Sequence, residues 1–216
     1  MICGVDEAGK GPVIGPLVVA AVSIENAKDI ENLGIKDSKQ LSPEKRKELA
    51  NLIKDRFSFE VEIIEAEKVD KYRRQNKLNV LNREAFERLI SKLNPNVAYV
   101  DAADVNEYRF GNQIKEKLTN KNDTDVISMH KADSKIEVVA AASIIAKETR
   151  ENEIRKLKKE IGDFGSGYPS DERTIKFLKS FYAVNGKWPT GTRESWKTVE
   201  RIRPVKTLND FGENND

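Results

Sequence analysis

Asp6 and Glu7 stand side by side at the end of a short apolar run, Met1 to Val5. Asp101 closes the apolar stretch Val97-Ala98-Tyr99-Val100, and Asp133 lies just ahead of an apolar helical pattern. In open α/β sheets ligand sites gather where strand ends meet helix starts. A fold that joins these ends would put four carboxylates together, where unscreened they repel and some keep a proton. Divalent cations remove that conflict. A pair about 3.5–4 Å apart can activate a water and stabilise the leaving oxygen of an in-line phosphodiester displacement. Each acid also has a plain structural reading. Asp133 would sit favourably at a helix start, Asp101 could be a turn aspartate, and Asp6 and Glu7 could be solvated. The residues alone leave both readings open.

A competing chemistry lies in the same stretch. Gly4-Val5-Asp6-Glu7-Ala8-Gly9-Lys10-Gly11 has almost the spacing of a phosphate-cradling P-loop. That motif needs Ser or Thr after the lysine to hold Mg²⁺, and position 11 is Gly. It also needs a helix to start there. Pro12, Gly15, Pro16 and the β-branched run after them favour turn and strand, so a nucleotide hydrolase is rejected.

Composition narrows the choice further. One histidine, His130, and one cysteine, Cys3, leave no plausible zinc set. Carboxylates with a hard cation are the remaining route to hydrolysis. A lone cysteine excludes an intramolecular disulfide and fits a reducing compartment. No signal-peptide pattern or apolar run of membrane-spanning length is visible, so a cytoplasmic location and no membrane contact are expected. The formal charge is only +2, so nucleic-acid affinity would have to come from local patches.

Several elements must position these acids. Two apolar runs, residues 1–5 and 16–24, flank a Gly/Pro turn and read as a hairpin. Ser42-Pro43 supplies an N-cap and a first-turn proline for a helix to about residue 56. Alternation at Phe57, Phe59, Val61 and Ile63 predicts a half-buried strand. A helix is expected through Leu81–Leu93, a strand over 97–100, a helix over about 107–118 and a strand over 125–129. A long helix should begin near Ser134, with Ser134 and Glu137 as a capping box, and reach about Ile161. Further helices are expected at about 171–183 and 192–201. Strands alternating with helices predict an α/β sandwich around a mixed central sheet flanked by helices. The Gly-rich break after residue 162 divides the chain into a catalytic domain, 1–163, and a C-terminal helical substrate-binding extension and tail, 164–216.

The motifs resemble those of ribonuclease HII. Asp6-Glu7-Ala8-Gly9-Lys10-Gly11-Pro12 is similar to the family's opening Asp-Glu-Ala-Gly-Arg-Gly, and Asp37-Ser38-Lys39-Gln40-Leu41 to its second motif. Tyr99-Val100-Asp101-Ala102-Ala103-Asp104 resembles the third. His130-Lys131-Ala132-Asp133-Ser134-Lys135, running on to Lys147, resembles the fourth, and Gly165-Ser166-Gly167-Tyr168-Pro169 a fifth. They occur in family order along nearly the whole chain. The compact form speaks against ribonuclease HIII.

The resemblance implies a ribonuclease H-like fold and a site made of Asp6, Glu7, Asp101 and Asp133 holding two Mg²⁺ or Mn²⁺, with Asp6 bridging both. It implies a monomer that hydrolyses RNA in RNA–DNA hybrids and incises 5′ of ribonucleotides embedded in duplex DNA. The ends left would be 3′-hydroxyl and 5′-phosphate.

Gly9, Lys10 and Gly11 would read the ribose 2′-hydroxyl through the backbone, with Tyr168 on the next sugar. The glycines let the main chain come close. Lys10 stands where the family has Arg; it keeps the charge and loses the planar fork, so weaker phosphate contact with retained specificity is expected. Lys39 and Lys147 match lysines near the phosphates, with Ser143 assisting.

Residues 187–206 carry six basic and two acidic side chains around Trp188 and Trp196. Such interleaving suits a duplex backbone, although Trp196 is read as a core residue. Val205–Gly212 resembles a degenerate sliding-clamp-binding box, although a disordered tail is the favoured reading of it.

Overall fold

The turn at residues 9–16 folds the first two apolar runs onto each other. β1 (Ile2–Ala8) and β2 (Leu17–Ile24) pair antiparallel from Ile2↔Ile24 to Ala8↔Val18, as the hairpin pattern predicts. The computed structural model describes residues 1–31, 33–35, 41–119 and 123–204. β3 (Ser58–Ile64) joins the free edge of β2 antiparallel, while β4 (Val97–Asp101) and β5 (Asp125–Met129) run parallel to β1, giving the order β3-β2-β1-β4-β5.

Helices cover both faces. A short turn of helix, α1 (Lys28–Glu31), precedes α2 (Pro43–Arg56), where the Ser42 hydroxyl accepts the Lys45 N–H at 3.2 Å, the cap read from the sequence. α3 (Ala66–Arg74) has no counterpart in the pattern reading: only Ala66, Val69 and Asp70 are buried among its charged residues. α4 (Leu78–Leu93) and α5 (Glu107–Lys115) lie on that face of the sheet with the core formed by Phe86, Leu89, Ile90, Phe110 and Ile114. On the opposite face, α6 (Glu137–Ile161) crosses β1 and β2, beside α2.

α6 begins at Glu137, with Ile136 in the cap position, not near Ser134. A 3-10 turn, Ala132–Ser134, precedes it. That turn holds Asp133 away from the regular helix and next to β4, which hydrophobic periodicity cannot register. The edge strand β3 departs from simple alternation too: Phe59 is 37% and Ile63 39% exposed, because only β2 neighbours them in the sheet. The glutamates of the other face are drawn in by α4, where Arg88 bonds Glu62 through two nitrogens at 2.9 and 2.7 Å.

Beyond α6, α7 (Glu172–Asn185) starts at Asp171, whose carboxylate accepts the Arg173 N–H at 2.9 Å. α8 spans Lys197–Ile202, shorter than the helix expected over 192–201. Residues 189–196 form a loop instead. Ile14 bridges Thr192, and the Arg193 N–H donates to the Val13 carbonyl at 2.8 Å, so the chain there is tied to the hairpin turn. Phe164, Leu178, Trp188, Trp196 and Val199 join the core shared with the sheet. No described helix is long and apolar enough to cross a membrane.

Candidate active site

β1 and β4 are adjacent and parallel with Val5 opposite Val100, so Asp6 and Asp101 follow one residue later on neighbouring strands. Val5 and Val100 point into the α4 side of the sheet. By the alternation of strand side chains, the two aspartates turn to the α6 side. The approach of α6 depends on Gly4: a Cβ there would lie 2.3 Å from the Val138 carbonyl carbon. The buried run Ala140-Ala141-Ala142-Ser143 completes that tight crossing. Asp101 Oδ1 accepts the Ala132 N–H at 2.7 Å, which fixes the 3-10 turn and brings Asp133 alongside.

The acids sense one another electrostatically. Burial raises the Asp6 carboxyl well above the ordinary range; Glu7 and Asp101 raise it further, against the nearby Ser143 side chain and the Glu7 N–H, which donates to Asp6 Oδ1 at 2.7 Å. Burial likewise pushes Glu7 up to about 7, with Lys10 opposing and Asp101 and Asp133 adding to the rise. Asp6 and Asp133 are 5% and 7% exposed. Glu7 Oε2 is buried with no hydrogen-bond partner. As the side chains stand, no three described His, Cys, Asp or Glu residues are grouped closely enough to hold a metal. The chemistry of the set nevertheless fits a hard divalent cation: all donors are carboxylate oxygens, two of the acids are held above their normal pKa, and one buried oxygen is orphaned.

A pH test follows. Glu7 has an ordinary pKa of 4.5 and a folded value of about 7. The folded state therefore holds a proton that the unfolded chain has already released in that window. This contribution to stability is complete below the unfolded pKa and is lost as pH rises through the folded one. In metal-free melts from about pH 5 to about pH 8, Glu7→Gln should gain on the wild type, by about 2–4 °C for each kcal/mol. A constant gap across that range would count against the shift.

Beside the acids the chain turns through Gly9, Lys10 and Gly11. Gly9 has φ of +92°, and a Cβ there would lie 2.6 Å from both Arg150 Nε and the Pro16 carbonyl oxygen. The Lys10 ammonium donates to the Ala103 carbonyl at 2.8 Å, linking this corner to the loop after β4. Tyr168 is 40% exposed and its ring flanks Gly11, 3.7 Å from where a Cβ would be. It is placed by the loop after α6, where Gly167 O accepts the Val13 N–H at 2.7 Å and Gly167 N–H donates to Thr174 at 3.0 Å. Ser143 is fully buried and close to Asp6. Lys147, one helical turn further, lines a cleft of about 460 Å³ together with Glu7, Gly9–Gly11, Arg46, Arg150 and Tyr168. Lys39 and the clamp-like stretch 205–212 lie outside the described residues.

The scaffold behind the corner was not legible as such. Arg193, counted among the basic residues that could face a duplex, is fully buried. Its guanidinium donates to the Gly9, Lys10 and Gly15 carbonyls at 2.7, 3.1 and 3.0 Å. Trp196 Nε1 donates to the Gly11 carbonyl at 3.1 Å, so this tryptophan is a core residue that also grips the corner. The Arg73 and Arg193 guanidiniums lie 4.5 and 5.1 Å from the Trp196 ring. Asp70 on α3 in turn accepts from the Ser195 hydroxyl at 2.7 Å. A cluster of Arg, Ser and Trp after a Gly/Pro loop was the available signal; only its partner carbonyls, far back in the chain, give it a role. A larger groove of about 750 Å³, lined by Asp70 and Trp188 among others, includes none of the four acids.

Comparison with known proteins supplies the family. The model of the ribonuclease HII family matches residues 3–199. A ribonuclease HII of Methanoregula boonei is 44% identical over 207 residues, 96% of each chain. The ribonuclease HII of Archaeoglobus fulgidus, solved as a complex with PCNA, superposes with a TM-score of 0.86 at 44% identity over 98% of this chain and all of that one. Bst-RNase HIII, solved in complex with Mn²⁺, has a TM-score of 0.80 at 23% identity, covering 93% of this chain and 68% of that one, a likeness of fold alone. The mixed sheet flanked by helices is thus the expected ribonuclease H-like fold. With the family model spanning residues 3–199 and a relative 44% identical along almost its full length, this chain belongs to the ribonuclease HII family, endonucleases that hydrolyse the RNA of RNA–DNA hybrids.

Proposed function

We propose that the protein also incises duplex DNA on the 5′ side of embedded ribonucleotides, leaving 3′-hydroxyl and 5′-phosphate ends. Asp6, Glu7, Asp101 and Asp133 would hold two divalent ions, Mg²⁺ or Mn²⁺. The observation that carries this reading is a set of four acids, Asp6 and Asp133 buried, whose charges raise the Asp6 and Glu7 pKa values, beside a glycine corner whose backbone is held from behind. The Mn²⁺ bound by the structurally similar ribonuclease HIII accords with it.

When bound, the ions supply activation of the attacking water and stabilisation of the leaving oxygen. The chain's own residues orient the substrate. A ribose differs from deoxyribose by one hydroxyl that both donates and accepts. The exposed Gly11 and the Lys10 main chain would read it at close range, with Tyr168 stacked on the neighbouring sugar. Lys147, and Lys39 in the second motif, would neutralise phosphates, with Ser143 acting through Asp6.

The test is nicking of a duplex with one internal ribonucleotide, against an all-DNA duplex, in Mg²⁺ and in EDTA. Cleavage confined to the ribonucleotide and dependent on the metal is expected. Cleavage that persists in EDTA would overturn the metal assignment, and equal cutting of all-DNA duplex would overturn the ribose reading.

A sliding clamp is the protein partner proposed for residues 205–212, by analogy with the A. fulgidus complex with PCNA. Clamp pull-down should be lost in Phe211→Ala; retention would remove that box from consideration.

A further inference from the structure

Arg150 is a charged side chain of the cleft with no assigned work. Arg150, on α6, is only 6% exposed, yet its Nε and one terminal nitrogen have no hydrogen-bond partner. Its other terminal nitrogen lies 3.8 Å from Glu151, too far for a hydrogen bond. The guanidinium is 5.5 Å from the centre of the Tyr168 ring, and it fits against Gly9 only because that residue lacks a Cβ. Arg46 and Lys147 line the same cleft.

A buried guanidinium with two nitrogens lacking acceptors is costly, since a buried charge must be hydrogen-bonded as well as paired to offset its desolvation. Like charge from Arg150 adds to burial in drawing down the pKa of Arg193. Both cations border the corner, Arg193 satisfied by carbonyls and Arg150 with two nitrogens lacking hydrogen bonds. An anion with several acceptor oxygens in the cleft lined by Gly9, Gly11 and Tyr168 would satisfy these donors. A phosphodiester offers that geometry, and a guanidinium can bind it through two parallel N–H donors.

The geometry points to Arg150 as a substrate-binding residue that receives a backbone phosphate of the nucleic acid beside the Gly9–Gly11 corner. This assignment rests on the proposed ribonucleotide-duplex reading. In it, Arg150 also holds the Tyr168 ring by stacking, so phosphate contact and ring placement are coupled through one side chain. Glu151 at 3.8 Å is a counter-charge without a hydrogen bond, so two nitrogens of the buried guanidinium remain free to donate to phosphate oxygens.

The experiment is a methylphosphonate scan. Duplexes with one internal ribonucleotide carry a single uncharged methylphosphonate at successive positions flanking it. Affinity is measured for the wild type, Arg150→Met and Arg150→Lys, in EDTA so that no strand is cut. Arg150→Met should weaken binding to the unmodified duplex roughly tenfold or more. At one position the methylphosphonate should weaken the wild type by a similar factor and Arg150→Met hardly at all, a non-additivity that a purely structural arginine would not produce. Arg150→Lys should recover part of the affinity without the bidentate contact. Additive losses at every position, with melting temperatures of both variants near the wild type, would overturn the assignment. If Arg150→Met melts early, the same scan on Arg150→Lys decides, because additive losses there overturn the assignment equally. Failure of the parent reading looks different: the wild type would then show no preference for the ribonucleotide duplex over DNA at any position, and both assignments would fall together.

Discussion

Asp101→Asn is expected to reduce nicking of a ribonucleotide-containing duplex by roughly a hundred- to a thousandfold or more, the scale of losing a main electrostatic group in a reacting centre. The substitution keeps shape and removes charge. The amide oxygen can still accept the Ala132 N–H that Asp101 Oδ1 now accepts at 2.7 Å, so the 3-10 turn and Asp133 should stay in place. Two further readouts separate chemistry from folding. Asp101 contributes to the raised pKa of both Asp6 and Glu7, so its neutralisation should raise the melting temperature of the metal-free protein at neutral pH. Duplex affinity measured without metal should hold or tighten, since one negative charge facing phosphate is gone. A variant that binds, melts higher and does not cut is the expected result. One that cuts within threefold of the wild type would remove Asp101 from the site and would favour a fold kept for another purpose.

Arg193→Met is expected to have the largest effect on stability and on ribose discrimination together. The guanidinium satisfies the Gly9, Lys10 and Gly15 carbonyls from a fully buried position. Each buried carbonyl left unpaired costs about 1–3 kcal/mol. A total loss of about 3–5 kcal/mol is consistent with breaking a buried charged contact, or a fall of about 10 °C in Tm at 2–4 °C for each kcal/mol. Arg193→Lys should retain part of the stability and still loosen the corner, because an ammonium cannot reach three divergent carbonyls with a planar fork. For that variant, the preference for a ribonucleotide duplex over all-DNA duplex should fall by about tenfold while affinity for all-DNA duplex stays nearly constant, since only the reading of one hydroxyl depends on the corner. Equal loss on both duplexes would mean that Arg193 supports the fold and not the corner.

Arg193 also shows where sequence reading stops. In the linear chain it belongs to a basic, tryptophan-bearing segment, and charge counting places it on a duplex-facing rim. In three dimensions it is fully buried under residues nearly the whole chain away. The isolated contact of Ile14 with Thr192 and the Arg193–Val13 backbone bond pull residues 192–196 out of the helix expected over 192–201. Likewise α3 escapes a periodicity reading because few of its residues are apolar; its role depends on Asp70 meeting Ser195. The 3-10 turn before α6 is tied to β4 by a bond to Asp101, a partner no local pattern can name.

Local signals sufficed for other parts. The hairpin, β5 and the Ser42 cap depend on neighbours within a few residues, and they appear where alternation and capping rules put them. The acid positions at the ends of β1 and β4 were legible for the same reason. The order of motifs along the chain determined the family, and with it the hydrolytic chemistry. Tertiary structure alone decided which cations are buried, which carbonyls they satisfy and which guanidinium nitrogens are left without a hydrogen bond. Those facts depend on contacts between residues more than a hundred positions apart, and their energies arise only when water is excluded between them.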